Sequence, residues 1–172
     1  MTDSSRRFEE IALPHLNAAY NLARWLLRNE HDAEDLVQEA YLRAFRFFDG
    51  FHGGDARAWL LAIVRNTCYT WLKQNRAREL NDVFDEEVHA AVDESNPETL
   101  LLANADAQLL NRALEQLPLE FREILVLREL EDLSYKEIAE VAQIPLGTVM
   151  SRLARARNML RVTLTRMAGG LT

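Results

Sequence analysis

Apolar positions recur at helical spacing along almost all of this 172-residue chain, and alternating runs of the kind that make strands are nearly absent. Leu16, Tyr20, Ala23 and Leu27 fall at i, i+4, i+7 and i+11 and predict a first helix over about Arg6–Arg28. Pro14 lies inside that stretch and should kink or restart it, because proline has no amide hydrogen and its ring crowds the preceding turn. A second helix is predicted from near Asp32, whose carboxylate can accept free first-turn amides, to about Phe48. Residues Phe48 to Asp55, with Gly50, Gly53 and Gly54 among them, read as a loop. A third helix starts after Asp55 and continues to about Arg78, with Leu60, Ile63, Val64, Thr67 and Trp71 on one apolar arc suited to a core. Cys68 sits at the edge of that arc and is expected to be a buried structural thiol.

Periodicity lapses over 81–104, where Asn, Asp, Glu, Ser and Pro97 accumulate as in a linker, and helical spacing resumes near Ala105. Pro118 suits a first-turn position, with Phe121, Ile124, Leu125 and Leu127 carrying the apolar face behind it. Ser134-Tyr135-Lys136-Glu137 is a capping box that opens a helix ending near Ala142. A short turn then leads to a long helix from Pro145 to Gly169-Gly170. Its stripe Val149, Leu153, Ala156 and Leu160 should pack on Ile138, Ala139 and Val141, which is helix-turn-helix form. The expected fold is all-α: two small helical domains, 1–80 and 108–172, joined by an irregular acidic linker at 81–107, the second being the helix-turn-helix domain.

Charge changes how the helices read. A net charge of −7 would ordinarily argue against a nucleic-acid partner. The acids, however, are concentrated: residues 81–107 hold eight of them and no Lys or Arg. Eleven bases balance eleven acids in 1–80, and nine bases exceed eight acids in 108–172. The span 56–78 has Arg57, Arg65, Lys73, Arg76 and Arg78 with no acid, and 141–172 has Arg152, Arg155, Arg157, Arg161 and Arg166 with none. Local charge therefore points to phosphate.

On the long C-terminal helix, Thr148, Ser151, Arg152 and Arg155 form an outer face able to enter a major groove, where arginine matches guanine edges. Arg157, Arg161 and Arg166 are better placed for phosphates. On the third helix, Arg65, Asn66, Tyr69, Lys73 and Arg76 interleave bases with a ring and an amide, the combination that holds single-stranded nucleic acid. The second helix has the opposite polarity, with Glu30, Asp32, Glu34, Asp35 and Glu39 crowding its start. Helix-dipole stabilisation accounts for one or two of these, so the rest suggest a docking surface for a basic protein partner. His15, His31, His52 and His89 are scattered and there is one cysteine, so no metal, cofactor or enzymatic centre is expected. The N-terminus lacks an apolar signal segment and no apolar run is long enough for a membrane span, so a cytoplasmic protein without membrane insertion is expected.

Three segments carry a resemblance. Asp32-Ala33-Glu34-Asp35-Leu36-Val37-Gln38-Glu39-Ala40-Tyr41-Leu42-Arg43-Ala44-Phe45, followed by Trp59-Leu60-Leu61-Ala62-Ile63-Val64-Arg65-Asn66-Thr67, resembles the most characteristic part of bacterial RNA polymerase sigma factors. Leu117-Pro118 with Phe121-Arg122, then Tyr135 to Ala139, then Gly147 to Arg157, is similar to the same family's C-terminal domain, and the short two-domain form is similar to the extracytoplasmic-function group. The resemblance implies a promoter-specificity subunit that binds core RNA polymerase and promoter DNA, both duplex and melted, under an anti-sigma factor. It implies that Asp32, Glu34, Asp35, Leu36, Gln38 and Glu39 dock the clamp helices of the polymerase largest subunit. The Gly50–Asp55 loop with Arg65, Asn66, Tyr69, Lys73 and Arg76 would capture the −10 element, and Thr148, Ser151, Arg152, Arg155 and Arg157 would bind the −35 element. The acidic linker would thread toward the polymerase cleft. The chain departs from the family pattern at Met150, where many relatives carry arginine, and at Ala154, where phenylalanine is common. Two other readings remain: a helix-turn-helix regulator with an unrelated N-terminal half, and a mimic that titrates an anti-sigma factor without touching DNA.

Overall fold

The structure, a computed structural model, describes residues 2–81 and 105–169, the side chains of 77–81 excepted. All regular structure among these residues is helical. Helix α1 spans Asp3–Ala12, capped by the Thr2 hydroxyl, which accepts the Ser5 amide at 3.1 Å. At Pro14 the chain tightens into a single 3-10 turn, Leu13–His15, before α2 continues over Leu16–Leu27. The expected kink is therefore real, and it divides the predicted first helix in two.

Arg28 adopts a left-handed conformation (φ 59°), ending α2. The second helix starts earlier than its sequence suggests: α3 spans Glu30–Arg46, and its cap is Asn29, whose side chain accepts the Asp32 amide at 2.9 Å. Ala19, Ala23, Ala33 and Ala40 are fully buried, and such small side chains let α2, α3 and the next helix approach closely. Phe48 closes a 3-10 turn (Phe48–Gly50), and Gly53 and Gly54 take positive φ, which lets the chain turn back into α4, Ala56–Asn81. Asp55 caps α4 by accepting the Ala58 amide at 3.0 Å.

In the second half, α5 spans Ala105–Gln116 and α6 spans Leu119–Leu125, with Pro118 immediately ahead of it. A π-helical turn, Val126–Leu130, ends α6, and Leu133 then seals the corner from inside. The capping box is formed as expected, Ser134 and Glu137 bonding each other's backbone amides at the start of α7, Tyr135–Ala142. Gln143 takes the left-handed turn position (φ 57°) that leads to α8, Leu146–Gly169. Val149, Leu153 and Ala156 face the core, as their spacing predicts. Of the acidic connection, residues 82–104 lie outside the described residues.

The two halves share one apolar core. Leu61, Val64 and Cys68 of α4 belong to the same buried cluster as Leu117, Ile124, Leu127, Ile138 and Leu153. The sequence leaves open whether the halves pack together or lie apart. The packing follows from α4, which is apolar on more than one side: Leu60 and Thr67 are buried on one arc, and Leu61 and Cys68 on the next. A helix with two apolar arcs needs cover on both. Helices α2 and α3 supply one side and α7 the other. Burying each large aliphatic side chain there contributes about 1.5–3 kcal/mol, so the closed packing has a substantial driving force.

Candidate nucleic-acid interface

Helix α8 presents its outer face as expected. Ser151 and Arg155 are exposed, while Thr148 and Arg152 are half-buried toward one flank. The Ser151 hydroxyl donates to the Thr148 carbonyl at 3.2 Å, a bond it can release to a stronger acceptor. Arg157 is already engaged: its Nε and an Nη both donate to Glu129 Oε1, at 3.0 and 2.8 Å, and this raises its affinity for the proton. Arg161 bonds Asn158, and Arg166 donates to Gln116 at 2.8 Å. Among the residues expected to read DNA, Ser151 and Arg155 are thus the most available.

The expected free arc of α4 is split, which corrects the reading of it as one open surface. Asn66, Lys73 and Arg76 are exposed. Arg65 and Tyr69 are instead turned into the junction between the halves. The Arg65 Nε donates to Glu123 Oε2 at 2.9 Å, and its guanidinium lies over the Tyr69 ring, 4.1 Å from the centroid. The Tyr69 hydroxyl is buried against the Glu123 carboxylate, outside hydrogen-bonding geometry, and burial raises its pKa. Burial also pushes the Glu123 carboxyl upward, opposed chiefly by Arg65, with Arg152 of α8 the smallest of the opposing contributors. A basic arc on a helical wheel does not reveal an acid 58 residues away.

A second ionic contact joins the halves at the first turn of α7. Arg57 donates to both oxygens of Glu137, at 3.1 and 2.9 Å. Burial disfavours the Glu137 charge, but its coupling to the neighbouring Asp55 carboxyl, the bond from the Ser134 amide and the Arg57 guanidinium outweigh it and hold the pKa down to about 2. Arg122 donates to the Leu117 carbonyl and reaches the Leu26 carbonyl at the end of α2, and burial pushes its pKa down to about 10. Sequence reasoning passed over Glu123, Glu137 and Arg122 as interface residues. A signal existed: Arg122-Glu123 is a charged pair inside the apolar run from Phe121 to Leu127.

On α3, Glu34, Asp35, Gln38 and Glu39 are exposed and share the outer surface. Leu36 does not join them; it is buried in the core, because its position matches the inward stripe with Val37 and Ala40. Asp32 is half-buried at the helix start, and burial raises its pKa. The acidic face continues into apolar surface that sequence reading did not assign. Leu42 and Phe45 are exposed and, with Phe8, Gln38 and Tyr41, line a groove of about 490 Å³. They are apolar positions out of phase with Val37, Ala40 and Ala44, which is the pattern that could have exposed them. At the Gly50–Asp55 loop a second recess of about 550 Å³ is lined by Arg7, Phe48, Phe51 and His52. Among the described residues, no group of three His, Cys, Asp or Glu could hold a metal, and no helix is long and apolar enough to cross a membrane.

Residues 11–78 match Sigma-70 region 2, and residues 107–160 match Sigma-70 region 4. The ECF RNA polymerase sigma-E factor of Escherichia coli K12 is 40% identical over 137 residues, 75% of this chain and 72% of that protein. This chain belongs to the ECF sigma factors. The ECF RNA polymerase sigma factor SigE of Mycolicibacterium smegmatis is 34% identical over 154 residues, and there the chain spans only 60% of the relative's length. Among solved structures, the sigma factor RpoE of Bartonella quintana, in complex with the anti-sigma factor NepR, is 30% identical. It superposes with a TM-score of 0.72 over 93% of this chain and 98% of that one, so both halves match together. CnrH, solved with the cytosolic domain of CnrY, shares the fold at a TM-score of 0.66 and 23% identity. Within an ECF sigma factor, α3 and α4 fall in the region 2 match and α7 and α8 in the region 4 match.

Proposed function

We propose that this ECF sigma factor is a promoter-specificity subunit that binds core RNA polymerase, recognises the −35 and −10 elements and starts transcription. Residues 1–80 dock the polymerase and capture the −10 element, 108–172 bind the −35 element, and 81–107 connect them through the polymerase. The exposed acids Glu34, Asp35 and Glu39, continuing into Leu42 and Phe45, meet the clamp helices. Asn66, Lys73 and Arg76 follow the melted strand, and the recess at Phe48, Phe51 and His52 offers rings against which an extruded base can stack. Ser151 and Arg155 read duplex DNA. The protein works in the cytoplasm as an initiation factor, with no catalytic group of its own.

The observation that carries this reading is the presence of both matched regions, in order, each with an exposed face of suitable charge. Run-off transcription by sigma-free core polymerase tests it: adding the chain should produce promoter-specific transcripts, and no gain in such product would refute it.

The closed packing supports one further step in the same reading. While Arg65 holds Glu123 and stacks on Tyr69, that part of α4 cannot hold DNA. The halves must therefore separate before −10 capture, and the closed form is a resting state. An anti-sigma factor fits here as the agent that holds the halves closed, since both halves superpose at once on a sigma factor solved with one.

A further inference from the structure

Helix α8 opens with two large apolar side chains in water, Leu146 at 50% and Met150 at 55% exposure. One helical turn apart, they share an edge of the helix. Neither belongs to the inward stripe of Val149, Leu153 and Ala156. Scattered exposed apolar residues need no explanation, but these two adjoin Ser151 and Ala154 on the exposed outer face. Met150 and Arg152 are two residues apart and so point to opposite flanks of the helix. Over the first two turns one flank is cationic and the other apolar; further along, Arg157 and Arg161 continue the Met150 edge, Arg157 held there by Glu129.

The first turns of a recognition helix are the part that meets base edges. Among the groups displayed in the major groove, the one apolar target is the C5-methyl of thymine. An arginine flank has guanine edges or phosphate to contact, whereas a thioether and an isobutyl group have only that methyl. Gly147 adds no bulk to the helix start, where even a Cβ would meet nothing within 4 Å, so close approach to the groove is unobstructed. We infer that Met150, supported by Leu146, is a specificity-determining residue that recognises a thymine methyl in the −35 duplex. This rests on α8 being the −35 reader.

The test uses holoenzyme assembled from core polymerase and the full chain. A −35 element is selected from a random duplex library, and each of its thymines is replaced singly by deoxyuridine, which removes only the methyl. At one thymine the replacement should weaken holoenzyme binding about fourfold, the worth of one methyl-sized apolar group. Met150→Ala should bind the thymine promoter less tightly by a similar factor and lose the distinction between thymine and uracil there. Arg155→Ala should weaken binding yet keep that distinction. A selected element without thymine, or a uracil effect that survives Met150→Ala, overturns the inference. If Arg155→Ala also leaves −35 protection intact, the assignment of α8 as reader fails with it.

Discussion

Arg65 on α4 and Glu123 on α6 form an ion pair across the junction of the two halves, 2.9 Å long, with the side chains only 15% and 1% exposed. Charges so far from water are tolerated because they are paired; removing one partner of a buried pair typically costs about 3–5 kcal/mol. Glu123→Gln should therefore shift the chain toward separated halves, since opening returns Arg65 to solvent. Energy transfer between dyes at the exposed positions Asn17 and Asn158 reads that shift directly. The double replacement Arg65→Met with Glu123→Leu should close again, because apolar substitutes of similar volume often match or exceed a buried pair. Unchanged dye separation in Glu123→Gln would show that apolar packing alone sets closure.

The second ionic contact responds to acid, and its sign is fixed by the depressed pKa. Glu137 is held at about 2 against an ordinary 4.5. Its stabilisation is thus fully present above the unfolded value and is lost as pH falls toward the folded one. Glu137→Gln keeps a side-chain acceptor for the Ser134 amide while removing the charge. The gap in urea midpoint between the wild type and Glu137→Gln should be widest above pH 5 and should shrink as the solution is acidified. A gap independent of pH would mean that the charge contributes nothing.

Much of this was legible in the amino-acid sequence, and the parts that were not have physical causes. The capping box at Ser134, the interruption at Pro14 and the inward stripe of α8 are local features, and each stands where spacing put it. Asn29 displaced Asp32 as the cap of α3 because capping depends on backbone conformation at one residue, which periodicity leaves open by a turn. Leu36 carried a docking role by resemblance, yet its burial follows from the same stripe that includes Val37 and Ala40. The largest omission was long-range. Arg65 reads as a free base until Glu123 arrives from the other half, and no helical wheel contains that partner.

The proposed docking of α3 to the polymerase can be tested apart from folding, because that face is exposed. Charge reversal at Asp35 and Glu39 should leave stability within about 0.5 kcal/mol, as surface substitutions usually do. The same changes place like charges against a basic partner and should weaken association with core polymerase at least about tenfold. Leu42→Asp should do likewise by putting a carboxylate into the apolar groove beside Phe45. Competition against a labelled reference sigma factor for core polymerase measures all three. Full competitiveness of the Asp35→Lys, Glu39→Lys variant would move the docking surface elsewhere.

Cys68 offers a probe of closure that needs no added label. It is fully buried on α4, and burial, with the charges of Glu123 and Glu39 behind it, pushes the thiol up to about 12. Alkylation proceeds through the thiolate, so at pH 8 the closed form should react roughly a thousandfold more slowly than an ordinary cysteine. Because one of the raising charges is Glu123 on α6, drawing the halves apart removes both cover and charge. Iodoacetamide should modify the wild type slowly, and Glu123→Gln faster in proportion to its open fraction. Core polymerase should accelerate the reaction if docking requires the halves to separate, whereas a rate indifferent to the polymerase would mean that α4 is released without exposing its inner side. A Cys68→Ser chain serves as the unreactive control, and an ordinary thiol rate in the free wild type would sink the closed resting state itself.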